Sequence, residues 1–197
     1  MTWPNKITYS RVLFIPLFVI AALEIRSHPQ FKYVTLAVFA AMALTDLLDG
    51  FVARRFHLSS PEGRFIDPLA DKLLMVTACV LLALPIWGMP DGEAPLAAEI
   101  AVIIIARDVL ISAWVTATFI AGGAKSYEVS KLGRVTTFVQ DFMLSAMILG
   151  TLYGTVYEHV AVPLSYAAAA FTIASGLHYL FKHARTMSFH GSGGPPA

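Results

Sequence analysis

The chain has 197 residues, which is long enough for one domain with a substantial core and too short to expect two. Hydrophobic residues make up 57% of it and charged residues only 14%, whereas a soluble domain usually carries about 25% charged residues. The composition therefore indicates an integral membrane protein. A formal net charge of +1 argues against nucleic-acid binding driven by electrostatic attraction.

Six apolar stretches have the length of a membrane-crossing helix, roughly 17–25 residues. They show no regular alternation of period two, so each is predicted to be helical. In chain order the predicted spans are Ile7–Ile25, Tyr33–Phe56, Pro68–Trp87, Leu96–Ala121, Leu132–Tyr153 and Val160–Phe181. The predicted fold is an all-α membrane domain of six transmembrane helices over residues 1–186, followed by a flexible tail over 187–197.

Cations are distributed unevenly between the two ends of these spans. They flank the start of the first span, lie between the second and third and between the fourth and fifth, and follow the sixth. The opposite side has only Arg26 and Lys32. Because cytoplasmic loops carry the excess of lysine and arginine, both termini and the loop between the second and third spans are predicted to be cytoplasmic.

Two aspartates lie at the end of the second predicted span. At 100° per residue, Asp46 and Asp49 share a helix face with Gly50 and Ala53, whose small side chains let a ligand approach the backbone. Arg54 borders this face. The carboxylates and the open backbone predict a polar ligand site here.

A second aspartate pair opens the third span. Asp67 and Asp71 are four residues apart and share a helix face. Pro68 suits a first helical turn, which predicts Asp67 as the N-cap of a helix whose N-terminus would favour a phosphate.

Four carboxylates in one site are costly without cations. Two of them about 5 Å apart repel by roughly 3 kcal/mol at an effective dielectric near 20. All-oxygen ligands favour Mg²⁺ or Mn²⁺, and four carboxylates could hold a pair of ions. The alternative is a set of interfacial aspartates paired with nearby cations, namely Arg54, Arg55, Arg64 and Lys72.

These residues also carry a resemblance to a known family. The pattern Asp46-x2-Asp49-Gly50-x2-Ala53-Arg54-x8-Gly63-x3-Asp67-x3-Asp71 resembles the signature of the CDP-alcohol phosphotransferases. The resemblance implies a membrane enzyme of six helices in which an alcohol displaces CMP from a CDP-linked lipid. It also implies a homodimer. It implies that the four aspartates bind two divalent ions and that Asp71 takes the proton from the attacking hydroxyl. The residues implied to border the CDP moiety are Gly50, Ala53, Arg54 and Gly63.

The N-terminal segment matches the start of the same pattern. Asn5, Thr8 and Arg11 would, by this resemblance, help to bind the nucleotide or its pyrophosphate. Taken alone, they are equally typical of an ordinary interfacial N-terminus.

Longer segments are similar to bacterial phosphatidylglycerophosphate synthases, among them PNKITYSRVLFIPLF, FIDPLADKLL, IIIARDVLISA and ASGLHYLFK. That resemblance implies transfer of a phosphatidyl group from CDP-diacylglycerol to sn-glycerol 3-phosphate, in the inner (plasma) membrane with the site facing the cytoplasm. Cardiolipin synthases of the same superfamily, which use phosphatidylglycerol, are the alternative. A transporter is a remote alternative, because the aspartates lie at helix ends rather than near the midplane.

Three cations are candidates for binding the acceptor phosphate. Arg107 lies well inside the fourth span, where burying an arginine costs free energy and the residue is usually functional. The alternative to phosphate binding is a structural ion pair with Asp108 or Asp141. Lys131 and Arg134 open the fifth span. The alternative to phosphate binding is that they are ordinary cations flanking the cytoplasmic end of a membrane span. The family commonly has G-K-x-K-T here, but this chain has Thr136 in place of the second lysine, which leaves the acceptor open.

Overall fold

A computed structural model describes the backbone of residues 3–56, 63–89, 91–122 and 131–190. It describes the side chains of residues 14–45, 72–89, 91–114, 116 and 132–181. All the secondary structure in this part of the chain is helical: α1 (Trp3–Glu24), α2 (Phe31–Phe56), α3 (Gly63–Leu82), α4 (Ala98–Gly122), α5 (Lys131–Gly150), α6 (Gly154–Val156) and α7 (Val162–His190). A π-helical turn, Tyr157–Ala161, joins α6 to α7.

The helices pack in two groups that meet at α3. Helix α1 packs on α2 and α3, whereas α7 packs on α4 and α5, and α3 also touches α4 and α5. Large apolar side chains such as Phe18, Met42, Leu82 and Met143 fill the centre. Small residues on α7, including Ala168 and Ala169, are buried and let its neighbours approach closely.

The third helix differs from its predicted span. It covers Gly63–Leu82 instead of Pro68–Trp87, so Asp67 lies within the helix and its prediction as an N-cap is wrong. The preference of proline for a first turn was given too much weight. At the other end the chain turns before Pro85, and the buried Trp87 folds back to donate a hydrogen bond to the Leu81 carbonyl, at 2.7 Å.

The last helix is longer than predicted. With α6 and the π-helical turn it forms a continuous helical segment, and α7 runs to His190, past the predicted domain end at residue 186. Within the described residues, Gly154–Phe181 is the one helix long and apolar enough to cross a membrane. Its outer surface exposes Tyr166, Leu180 and Phe181.

Helix α5 is apolar on two faces. Met143, Leu144 and Met147 are buried in the core, yet Phe138 and Phe142 on the other side are 72% and 56% exposed. A surface helix of a soluble protein usually turns polar residues outward. The exposed aromatic side chains therefore fit a surface covered by lipid.

Gly150 allows the π-helical turn to pack against the end of α5. A Cβ atom at Gly150 would lie 3.0 Å from Tyr157 Cα and 3.2 Å from Tyr157 N, both backbone atoms that cannot rotate away. Gly150→Ala is expected to lower the free energy of unfolding by about 1–3 kcal/mol through overpacking. Gly154→Ala is the matched control, because a Cβ there would meet nothing within 4 Å. Thermal unfolding in detergent compares the two, and equal midpoints would contradict the prediction.

Candidate active site

The four aspartates of the family pattern are contributed by two helices. Asp46 and Asp49 lie in α2, and Asp67 and Asp71 lie in α3. Their side chains are outside those that the structure describes. Among the side chains it does describe, no group of three or more His, Cys, Asp or Glu could hold a metal ion. The donor chemistry of the four aspartates, carboxylate oxygens alone, fits a hard divalent cation.

The other predicted residues of the nucleotide region are also helical. Asn5, Thr8 and Arg11 lie in α1, and Gly63 is the first residue of α3. Gly50, Ala53 and Arg54 lie in the last two turns of α2. The side chains of these residues, and of Lys131 at the start of α5, are likewise outside the described set, so their roles stay predictions.

Arg107 is described, and it lies beside a buried carboxylate. Its Nη1 donates to Asp108 Oδ1 at 2.7 Å, while Lys72 Nζ donates to Asp108 Oδ2. The Asp108 side chain is 1% exposed, that of Arg107 11% and that of Lys72 29%. The formal charges of these three side chains sum to +1.

A serine on α7 holds the other side of the guanidinium. Arg107 Nη2 donates to Ser175 Oγ at 2.5 Å, and a Cβ at Gly176 would lie 3.6 Å from Arg107 Cγ. We call Lys72, Arg107, Asp108 and Ser175 the basic cluster. It joins α3, α4 and α7, and it contains the Arg107–Asp108 pair that the sequence offered as an alternative to phosphate binding.

Two described residues near the start of α5 differ in exposure, the cation Arg134 and the threonine Thr136. Arg134 is exposed and makes no ion pair with any residue whose side chain is described. Thr136 is fully buried, and its hydroxyl lies 2.9 Å from the Leu132 carbonyl and 3.4 Å from the Phe171 carbonyl of α7. The residue that replaces the second lysine of the family pattern therefore packs between α5 and α7.

Sequence reasoning named Lys72 and Asp108 only as possible partners of other charges, and it missed Ser175. The signal for Asp108 was a second charge directly after Arg107 in an apolar span. Ser175 carried no comparable signal, because small polar residues are common in membrane helices. Its contact with Arg107 joins positions 68 residues apart.

The family model for CDP-alcohol phosphatidyltransferases matches residues 1–174. Several bacterial relatives bear the name CDP-diacylglycerol–glycerol-3-phosphate 3-phosphatidyltransferase. That of Rickettsia felis is 35% identical over 89% of this chain and 92% of its own. That of Haemophilus influenzae is 34% identical over 90% of this chain and 90% of its own. That of Bacillus subtilis is 31% identical over 91% of this chain and 94% of its own. The chain belongs to the CDP-alcohol phosphatidyltransferase family and is a transferase.

Proposed function

We propose that the enzyme transfers the phosphatidyl group of CDP-diacylglycerol to sn-glycerol 3-phosphate, giving phosphatidylglycerophosphate and CMP. The observation that carries this proposal is identity of about one third to relatives named for that reaction, along roughly nine tenths of the chain. The net positive charge of the basic cluster supports an anionic acceptor.

In the proposed arrangement six helices cross the inner membrane, both termini are cytoplasmic, and the active site faces the cytoplasm. The apolar helix Gly154–Phe181 and the outward-facing Leu110 and Phe138 support a membrane setting. The distribution of lysine and arginine supports the orientation. A homodimer is proposed from the family resemblance.

The proposed chemistry is direct displacement at phosphorus. Asp46, Asp49, Asp67 and Asp71 would hold two Mg²⁺ or Mn²⁺ ions, which when bound neutralise charge on the diphosphate. Asp71 accepts the proton of the acceptor hydroxyl. The hydroxyl oxygen bonds to the β-phosphorus, and the phosphorus–oxygen bond to CMP breaks. The acceptor phosphate would be bound by Arg107, Lys131 and Arg134. The residues proposed to border the nucleotide are Asn5, Thr8, Arg11, Gly50, Ala53, Arg54 and Gly63.

The alternative acceptor is phosphatidylglycerol, as in the cardiolipin synthases, which also lack the second lysine. Thr136 is the observation behind this alternative. The burial of Thr136 against α7 weakens the alternative, because the residue that stands in place of the lysine contributes to helix packing here. The names of the relatives favour glycerol 3-phosphate.

Release of CMP by the purified enzyme tests both acceptors. We expect CMP from CDP-diacylglycerol and Mg²⁺ when glycerol 3-phosphate is added, and none above background with phosphatidylglycerol. Chelation of divalent ions should abolish the release. CMP with phosphatidylglycerol alone would overturn the acceptor assignment, and no release with either acceptor would overturn the proposed reaction.

A further inference from the structure

Asp108 is a buried carboxylate that binds two cations from two helices. Its Oδ2 accepts from Lys72 of α3 and its Oδ1 accepts from Arg107 of its own helix, α4. With 1% of the side chain exposed, water cannot replace either partner. A buried charge is retained only where partners compensate for its lost hydration, so Asp108 holds both cations near it.

The guanidinium of Arg107 is fixed in its plane by two partners. Asp108 lies against one terminal nitrogen and Ser175 against the other, at 2.7 and 2.5 Å. These contacts use two of the five N–H donors of an arginine. The Nε atom is buried and has no hydrogen-bond partner among the described residues. Arg107 therefore has donors left for a ligand, and their directions are set by Asp108 and Ser175.

Lys72 connects the same carboxylate to the helix that carries Asp71. The two residues are adjacent in α3, about 100° apart around the helix axis. Attachment of Lys72 to α4 therefore limits rotation of α3 about its own axis. Because the Lys72 side chain is 29% exposed, its ammonium group is also partly accessible from outside the cluster.

We propose that Asp108, together with Ser175, is a positioning residue for acceptor binding: the pair orients Arg107, and Asp108 also fixes Lys72, so that both cations meet the phosphate of the acceptor. This inference rests on the proposed function. It adds Lys72 as a residue at the acceptor site and assigns to Asp108 a role through its neighbours, since the carboxylate itself would repel a phosphate.

The test measures kcat and KM for glycerol 3-phosphate at saturating CDP-diacylglycerol, with the thermal midpoint of each variant. Asp108→Asn keeps the size of the side chain and removes the charge, and Ser175→Ala removes one hydroxyl. Loss of a hydrogen bond to a charged group predicts that Ser175→Ala raises the KM for glycerol 3-phosphate roughly tenfold, with kcat within about twofold. Asp108→Asn should raise that KM further. Asp91→Asn, in the exposed loop before α4, is the charge-matched control and should leave both constants unchanged.

A purely structural role gives a different pattern. It lowers the fraction of folded enzyme, which reduces the apparent kcat and leaves KM unchanged. If the wild-type enzyme releases CMP with glycerol 3-phosphate, and Ser175→Ala and Asp108→Asn both keep the wild-type KM, the positioning role is overturned and the proposed function is not. If Asp108→Asn does not fold, Ser175→Ala decides by itself. If the wild type releases no CMP with glycerol 3-phosphate, the proposed function fails, and this inference fails with it.

Discussion

Asp71→Asn is expected to lower the rate of CMP release by at least about a thousandfold, because general-base catalysis alone contributes about 10²–10⁴. The amide cannot accept the proton of the acceptor hydroxyl. It is also a weaker ligand than a carboxylate for a hard divalent ion, so the variant should lose more than the base. The measurement is CMP release at saturating concentrations of both substrates, so that a change in affinity does not hide the change in rate.

The control for Asp71→Asn is the removal of the same charge elsewhere. Asp91 is exposed in the loop between α3 and α4, and Asp91→Asn should retain the wild-type rate. Equal thermal midpoints for the two variants would show that both fold. A rate within tenfold of wild type for folded Asp71→Asn would contradict its assignment as the base.

Length and hydrophobicity predicted the helices well because both properties are local. The second predicted span, Tyr33–Phe56, ends at the same residue as α2, and the fourth, Leu96–Ala121, differs from α4 by two residues at one end and one at the other. The end of the third span depended on how the chain folds back directly after α3. Trp87 is apolar enough to extend a predicted helix, but in the folded chain it bonds back to Leu81.

In the candidate site, too, local sequence patterns were predictable and contacts between distant residues were not. The family pattern predicts the four aspartates as site residues because their spacing along the chain carries the signal. The basic cluster could not be assembled from the sequence, because Lys72 and Asp108 are 36 residues apart and Arg107 and Ser175 are 68 apart. Only the packing of α4 against α3 and α7 brings these side chains together.

Arg107 is expected to show the second large effect, and two substitutions separate its charge from its shape. Arg107→Met leaves the buried Asp108 with Lys72 alone, and breaking a buried ion pair costs about 3–5 kcal/mol of unfolding free energy. It also removes the proposed ligand of the acceptor phosphate. We expect the KM for glycerol 3-phosphate to rise about a hundredfold or more, the equivalent of two charge-assisted hydrogen bonds.

Arg107→Lys keeps the positive charge but replaces the planar fork with a single ammonium group. That group can compensate Asp108, so most of the lost stability should return. It cannot keep the geometry that Arg107 has between Asp108 and Ser175, so KM should remain at least about tenfold above wild type. Arg26→Met, in the exposed turn between α1 and α2, controls for loss of a cation. A wild-type KM in Arg107→Lys would mean that position 107 supplies charge alone, because a fixed fork and a mobile ammonium group would then serve equally well.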